Sequence, residues 1–181
     1  MNYLLVLNTG KRVESRIQKA KYLLGEQIGP FPSLNSKAHM TLMAISTSAS
    51  YAEKIFDDLS KQLMNFPSYA VNFSGIAVWE HQKVIYACPS QEETLGLGSQ
   101  VAMIVSKYPG VKVFHSLRKG NGTAHTTIAR GLTPWQFEVA KNWLLPIPFE
   151  DSFKVKEIVV LKKVNPQDPW EKFKILKLKD H

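Results

Sequence analysis

The sequence of 181 residues has a single cysteine, Cys88, which excludes an internal disulfide and is typical of a reducing compartment. It contains no apolar run long enough to span a bilayer, so we expect no membrane partner. The first residues, MNYLLVLN, lack the basic flank and the small-residue cleavage site of a secretory signal peptide. Together these absences predict a cytoplasmic protein.

The charge of the chain is strongly positive. Lys and Arg number 23 against 15 Asp and Glu, which gives a formal net charge of +8. Such an excess favours phosphorylated or polyanionic partners, because it attracts and steers them. Part of the excess lies in KFKILKLK, residues 172–179, which is typical of a terminal strand. Lysines on such a strand also prevent edge-to-edge pairing, so they do not by themselves indicate a binding surface.

The chain is expected to form a single domain over residues 1–181, because 44% of its residues are hydrophobic. Apolar patterning predicts the order strand, helix, strand, helix, strand, then the same five elements again and a final strand. This is a duplicated βαβαβ unit, with lobe-forming repeats at about residues 1–80 and 81–181.

Turn and cap signals mark where several elements begin and end. Residues 69–79 and 83–88 flank the polar stretch EHQ, so they are expected to pair as a hairpin with His81 exposed. The C-terminal His181 is also expected at the surface. Capping boxes, in which a hydroxyl and an acid or amide three residues later satisfy free N–H groups, predict three helix starts. The pairs are Ser50 with Glu53, Ser90 with Glu93, and Thr133 with Gln136.

Two predicted strands carry the same unusual pattern, Ala-His-x-Thr followed by an apolar residue, in AHMTL and AHTTI. Side chains alternate between the faces of a strand, so His39 and Thr41 share a face, and His125 and Thr127 share a face. Because the motifs stand at equivalent points of the repeat, a pseudo-twofold can bring these faces together across a groove. The groove would then carry two imidazoles and two hydroxyls.

These four side chains suit a displacement at phosphorus. An imidazole has an ordinary pKa of about 6.5, so at neutral pH one ring can act as a base and the other as an acid. Hydroxyls can donate hydrogen bonds to the non-bridging oxygens of a phosphate. The reaction needs the nucleophile and the leaving oxygen roughly in line, and catalysts from opposite halves can supply that geometry without a metal.

With these motifs the sequence resembles the two-histidine (2H) phosphoesterase superfamily, which contains 2′-5′ RNA ligase-like proteins and cyclic nucleotide phosphodiesterases. The segments HMTL (39–42) and HTTI (125–128) both fit the family's His-x-Thr/Ser-x signature, and the resemblance covers nearly the whole chain. It implies a bilobal α+β fold, in which antiparallel sheets line a central cleft and helices lie outside. It also implies metal-independent phosphodiesterase chemistry, with no cofactor, at 2′,3′-cyclic phosphates or 2′-5′ linkages of RNA or nucleotides.

Carried over residue by residue, the resemblance makes His39 and His125 the acid–base pair and Thr41 and Thr127 the phosphate-binding residues. The near symmetry of the two motifs leaves open which histidine is the base. The expected partner is an RNA end or a small cyclic nucleotide, and we expect the protein to be a monomer. The physiological substrate, and the choice between hydrolysis and ligation, stay open.

Three other interpretations compete with this one. A histidine in an apolar strand often serves structure and threonine is ordinary there, so either motif alone is weak evidence, whereas two at equivalent points favour function. Two histidines could ligate zinc, but such a site normally needs three or four ligands, and none is locally spaced to complete it. A module that binds a nucleotide or RNA end in the same cleft without turnover is the alternative to an enzyme.

A loop precedes each histidine strand and is expected to rim the cleft, where it would contact the substrate. The first loop carries Phe31, whose ring could stack on a base, and Lys37, which shares the face of His39 if the strand starts early. Further along the second strand, Arg130 falls on the opposite parity from His125 and is expected to serve packing or the surface.

The second loop covers about residues 108–124, and its candidate substrate contacts are His115, Arg118 and Lys119. Cations at this position could meet the phosphates that flank the reacting bond. A loop of this length without regular structure is unusual, so a short strand near residues 111–114 is an alternative interpretation of the segment.

Overall fold

A computed structural model describes residues 1–180, so the expectation for His181 lies outside the described residues. The described chain forms four α-helices and nine β-strands. In chain order they are β1 (Asn2–Asn8), α1 (Gly10–Ile28), β2 (His39–Ser46), α2 (Ala49–Leu63), β3 (Tyr69–Trp79), β4 (Val84–Pro89), α3 (Glu92–Val105), β5 (Lys112–Ser116), β6 (Thr126–Ala129), α4 (Pro134–Leu144), β7 (Glu150–Val155), β8 (Glu157–Lys163) and β9 (Glu171–Lys177).

The strands form two sheets. Sheet 1 has the order β5-β2-β1-β8-β9, and sheet 2 has the order β6-β4-β3-β7. Every neighbouring pair within the two sheets runs antiparallel. The predicted α+β class with antiparallel sheets is therefore confirmed. The hairpin of residues 69–79 with the following strand is also present, since β3 and β4 pair directly.

The two repeats exchange elements. The third strand of the first repeat, β3, pairs with β4 in sheet 2, whereas β8 of the second repeat pairs with β1 in sheet 1. The helices are exchanged as well. Helix α1 of the first repeat contacts β6 and β7 of the second, and α3 of the second repeat contacts β2 of the first. The division of the chain near residue 80 therefore does not coincide with the division between the sheets, and each lobe is built from both halves.

The helices cover one face of each sheet, as expected. Helices α1 and α4 contact strands of sheet 2, and α2 and α3 contact strands of sheet 1. On α1, Val13, Ile17 and Leu24 are buried at helical spacing, and burial of such side chains contributes about 1.5–3 kcal/mol each. No helix within residues 1–180 has the length and hydropathy needed to cross a membrane.

The helix starts follow the predicted caps only in part. The capping box of Thr133 and Gln136 is confirmed in both directions. The box at Ser50 is wrong, because Ser48 is the N-cap of α2 and accepts a hydrogen bond from the N–H of residue 51. The box at Ser90 is also wrong, because its hydroxyl accepts a hydrogen bond from the backbone of Asn72 instead. The Ser90 hydroxyl is therefore used by β3 and does not cap α3.

Two segments contain more strand than the pattern predicted. The long second loop holds β5, which pairs with β2 at the edge of sheet 1, so the short-strand alternative is confirmed. After the last helix the predicted order has two strands, whereas the structure has three, because residues 150–163 hold both β7 in sheet 2 and β8 in sheet 1. A single residue, Lys156, separates them, because the chain passes from one sheet directly to the other.

Candidate active site

The two histidine motifs lie where sheets 1 and 2 meet. Strands β2 and β6 run beside each other there, with Cα atoms within 8 Å. His39 is the first residue of β2, and His125 immediately precedes β6. The motif side chains at 39, 41, 125 and 127 are half-buried, whereas those between them are buried in the core. One face of each strand therefore packs, and the other faces the groove between the sheets, which we call the cleft.

Both imidazoles are oriented by the same backbone contact. The Nδ1 atom of His39 lies 2.8 Å from the carbonyl oxygen of Lys37, and Nδ1 of His125 lies 3.0 Å from that of Thr123. A carbonyl only accepts hydrogen bonds, so Nδ1 carries the proton in both rings. The neutral ring then offers the Nε2 lone pair as a base, and the protonated ring offers Nε2–H as an acid.

The pKa values of both histidines are depressed. Burial lowers the pKa of His39, and the positive charges of Lys21 and Arg130 lower it further, against the bond to the Lys37 carbonyl, which raises it. Burial likewise lowers the pKa of His125, with added effects from charges on His115, His39 and Arg130.

Equivalent side chains hold the residue before each histidine. At the start of the first helix, the Thr9 hydroxyl donates to the carbonyl of Ala38 at 3.4 Å. At the start of α3, the amide of Gln91 donates to the carbonyl of Ala124 at 3.0 Å and accepts from its N–H at 2.7 Å. The repeated Ala-His dipeptide is therefore anchored on the helix start in both halves.

Matching β-bulges follow the two motifs. Thr41 and Met43 oppose successive residues of β1, so β2 carries one extra residue there, and β6 carries one between Thr127 and Ala129. A bulge reverses the alternation of the residues that follow it. The opposite parity expected for Arg130 is therefore wrong, because the bulge puts this residue on the same side as His125. Its side chain is exposed, as expected for a surface residue, and its charge lowers the pKa of both histidines.

Aromatic rings flank His125. The centroid of Trp79 lies 4.5 Å from the imidazole centroid at an interplanar angle of 69°, and that of Tyr86 lies 5.8 Å away at 71°. The rings of Trp79 and Tyr86 are themselves 4.6 Å apart. Tyr86 is paired with Thr127 across the strands, which places it on the cleft face of sheet 2. The sequence pattern did not single out either aromatic residue.

A buried lysine secures the first cleft loop. The Nζ atom of Lys21, on α1, is fully buried and donates to the carbonyl of Ser33 at 3.0 Å and to the carbonyl and hydroxyl of Ser36 at 2.6 and 3.0 Å. The Ser33 hydroxyl in turn accepts from the N–H of Arg130 at 3.0 Å. The loop before His39 is thereby tied both to α1 and to the second histidine strand.

The expected rim residues take different positions. Phe31 is only 6% exposed and packs in the core, so its ring has no open face for a base, contrary to expectation. The side chain of Lys37 is exposed, and β2 starts after it, so the strand does not begin early. His115 lies half-buried on β5 opposite Ala44. Arg118 and Lys119 are exposed, and their contact with substrate stays a prediction.

The arrangement can therefore supply proton transfer and anion binding in one place. Within residues 1–180, no three His, Cys, Asp or Glu side chains cluster in a way that could hold a metal ion. By strand alternation and burial, the side chains on the cleft face of the two motifs are His39, Thr41, His125 and Thr127, and Arg130 follows the second motif. Such a set can move protons on both sides of a phosphorus atom and hold its charged oxygens.

Structures of known proteins share this fold over nearly their whole length. TT0787 of Thermus thermophilus is 16% identical, with a TM-score of 0.68 and 99% of both chains covered. E. coli LigT, crystallised with 3′-AMP, is 14% identical, with a TM-score of 0.64 and coverage of 98% of this chain and 97% of LigT. Usb1 of Kluyveromyces marxianus is 15% identical, with a TM-score of 0.58 and 98% of both chains covered. At such identities the likeness shows the fold.

The sequence itself matches one family. No curated protein matches the chain significantly in sequence. The profile of the 2′-5′ RNA ligase superfamily matches residues 10–167, a span that includes both histidine motifs and most of the chain. The resemblance seen in the two motifs is therefore confirmed, and the chain belongs to the 2′-5′ RNA ligase superfamily of two-histidine phosphoesterases.

Proposed function

We propose that this protein is a phosphodiesterase that acts without a metal on 2′,3′-cyclic phosphates or 2′-5′ linkages of RNA ends or small nucleotides. The observation that carries the proposal is the paired geometry of His39 and His125, each with Nδ1 bonded to a backbone carbonyl. Two Nε2 atoms so presented to one cleft suit an acid and a base acting in the same reaction. Crystal structures of LigT with 3′-AMP and with phosphate add support from a relative of the same fold.

In hydrolysis of a 2′,3′-cyclic phosphate, the neutral imidazole takes a proton from water at Nε2 while the water oxygen attacks phosphorus. The bond from phosphorus to one ribose oxygen breaks, and the protonated imidazole delivers its Nε2 proton to that oxygen. The product is a ribose monophosphate ester. The hydroxyls of Thr41 and Thr127 donate to the non-bridging oxygens, and the guanidinium of Arg130 offsets their charge.

The direct test is product analysis in the presence of a chelator. The protein is incubated with nucleoside 2′,3′-cyclic phosphates, an RNA ending in a cyclic phosphate and a 2′-5′-linked dinucleotide, and products are followed by chromatography and phosphorus NMR. We expect turnover of at least one substrate in EDTA. Nucleotide binding measured by calorimetry without any product would point to the non-catalytic module instead.

The Arg130→Met variant should bind the substrate more weakly, and the pKa values of its two motif histidines should be higher. Loss of a charged donor to the phosphate should raise KM by roughly 10- to 100-fold. Removal of its positive charge should raise the pKa of both histidines, because that charge disfavours their protonation. Steady-state kinetics and NMR titration measure the two effects. Arg130→Lys is the control, since it retains the charge and should keep the histidine pKa values near those of the original protein.

The pH profile of kcat/KM should have its maximum on the acidic side of neutrality. Both histidine pKa values lie below the ordinary value of about 6.5, so at pH 7 both rings are mostly neutral and the acid form is scarce. The bound phosphate adds negative charge that favours protonation, so the kcat profile should reach its maximum at higher pH. A kcat/KM maximum well above pH 7 would contradict the assignment of these two groups.

A further inference from the structure

The cleft has one aromatic wall and one aliphatic wall. By strand register, the position on sheet 1 that corresponds to Tyr86 is Val6, and the position that corresponds to Trp79 is Leu161. The two repeats supply matching imidazoles and hydroxyls but not matching walls. A substrate that enters this cleft therefore meets chemically different surfaces at these corresponding positions, with π-faces beside His125 and aliphatic side chains on sheet 1.

We propose that Trp79 forms a binding surface for the nucleobase of the substrate on the His125 side of the cleft. This inference rests on the proposed function, and it names where the base lies. Trp79 is half-buried, whereas Tyr86 beside it is only 8% exposed. Tyr86 therefore packs behind the indole, and Trp79 is the ring that a ligand can reach. The ring centroids of Trp79 and His125 are 4.5 Å apart, so a base on the indole would lie next to the imidazole that acts on the phosphate.

The chemistry of an indole predicts what kind of selectivity follows. Stacking uses the π-face that every base has, so the surface should accept purines and pyrimidines alike. It should discriminate strongly between a nucleotide and a phosphate ester without a base. It should also fix the orientation of the substrate, because the nucleoside is held on one side of a nearly symmetric pair of histidines.

Binding of adenosine 3′-phosphate and of inorganic phosphate provides the test, because neither ligand is turned over. Trp79→Leu removes the π-face and should weaken binding of the nucleotide by roughly 5- to 100-fold. It should change the Kd of inorganic phosphate by less than about 2-fold, since phosphate meets only the histidines, threonines and arginine. Circular dichroism and thermal unfolding of the variant show whether it is folded.

Intrinsic fluorescence supplies a second readout. The chain has four tryptophans, and a base stacked on Trp79 should quench that indole. Trp79→Phe keeps a ring for stacking, so it should bind adenosine 3′-phosphate with similar affinity but lose the quenching. Trp135→Phe is the matched control, because Trp135 is 61% exposed on α4 and should leave the quenching intact.

Two outcomes overturn the inference. If Trp79→Leu weakens both ligands equally, the indole serves only to orient His125; if it weakens neither, the base lies elsewhere. Failure of the proposed function would look different. Base-dependent binding at Trp79 without turnover of any cyclic phosphate would leave this inference standing and remove the enzyme, whereas turnover with base-independent binding would do the reverse.

Discussion

Replacement of His39 or His125 with alanine should lower kcat for a 2′,3′-cyclic phosphate by about 100- to 10,000-fold while the fold is retained. Each imidazole moves one proton at its own end of the reacting P–O axis, so neither ring can substitute for the other. The double variant should be little worse than either single variant, because residues that act as a unit lose their effect together. Single-turnover kinetics in EDTA measure the loss.

His81→Ala is the matched control for these variants. His81 is exposed in the turn between β3 and β4 and belongs to neither motif, so its removal should leave kcat unchanged. Circular dichroism and urea unfolding test that His39→Ala and His125→Ala are folded. Undiminished turnover in both of these variants would end the assignment of the two histidines as acid and base.

The Lys21→Met variant should lose both stability and activity. Methionine has similar length but no donor, so the carbonyls of Ser33 and Ser36 lose their ammonium partner in a buried place. We expect the free energy of unfolding to fall by about 1–3 kcal/mol. Desolvation lowers the pKa of Lys21 to about 8, which shows that burial of the ammonium is itself costly and limits the loss. Urea denaturation measures the change.

The effect on activity follows from the loop that Lys21 holds. Loosening that loop should displace His39 relative to the second histidine strand and lower kcat/KM by roughly 10- to 100-fold. Loss of the lysine charge should also raise the pKa of His39, since that charge depresses it. The other cation that acts on His39 is Arg130, which stays in place. NMR titration of the imidazole separates this electrostatic effect from a purely structural one.

Lys19→Met is the control for Lys21→Met, because Lys19 is exposed on the same helix. It should change neither the stability nor the pKa of His39. If Lys21→Met leaves the His39 titration and the urea midpoint as they were, the lysine does not have the positioning role that its hydrogen bonds indicate.

The motif strands could be predicted because their signals are local. The alternation of side chains within four residues places His39 with Thr41, and His125 with Thr127, whatever the rest of the chain does. The same holds for the capping box of Thr133, whose groups lie within one helical turn. Ser90 shows the limit of such signals, because a hydrogen bond to a residue 18 positions away displaced the local cap.

The face on which Arg130 lies could not be predicted from the residues next to it in the sequence. The alternation rule holds only until the bulge after Thr127, and the bulge is set by pairing with β4, which the letters of the motif do not encode. The sequence gives a weaker indication for Lys21, which stands four residues after Ile17 in the apolar stripe of α1. A lysine in such a stripe is a signal for buried acceptors, although the loop that supplies them has to be known first.

The amino-acid sequence specified the chemical groups of the candidate site, the antiparallel α+β class and the face shared by the side chains within each motif, because propensity and periodicity act over a few residues. Folding in three dimensions settled which strands the two halves exchange, which aromatic rings lie beside His125 and on which side Arg130 follows the second motif. Those features depend on pairings between distant segments, where register and bulges are chosen by the packing of whole sheets and not by any one stretch of chain.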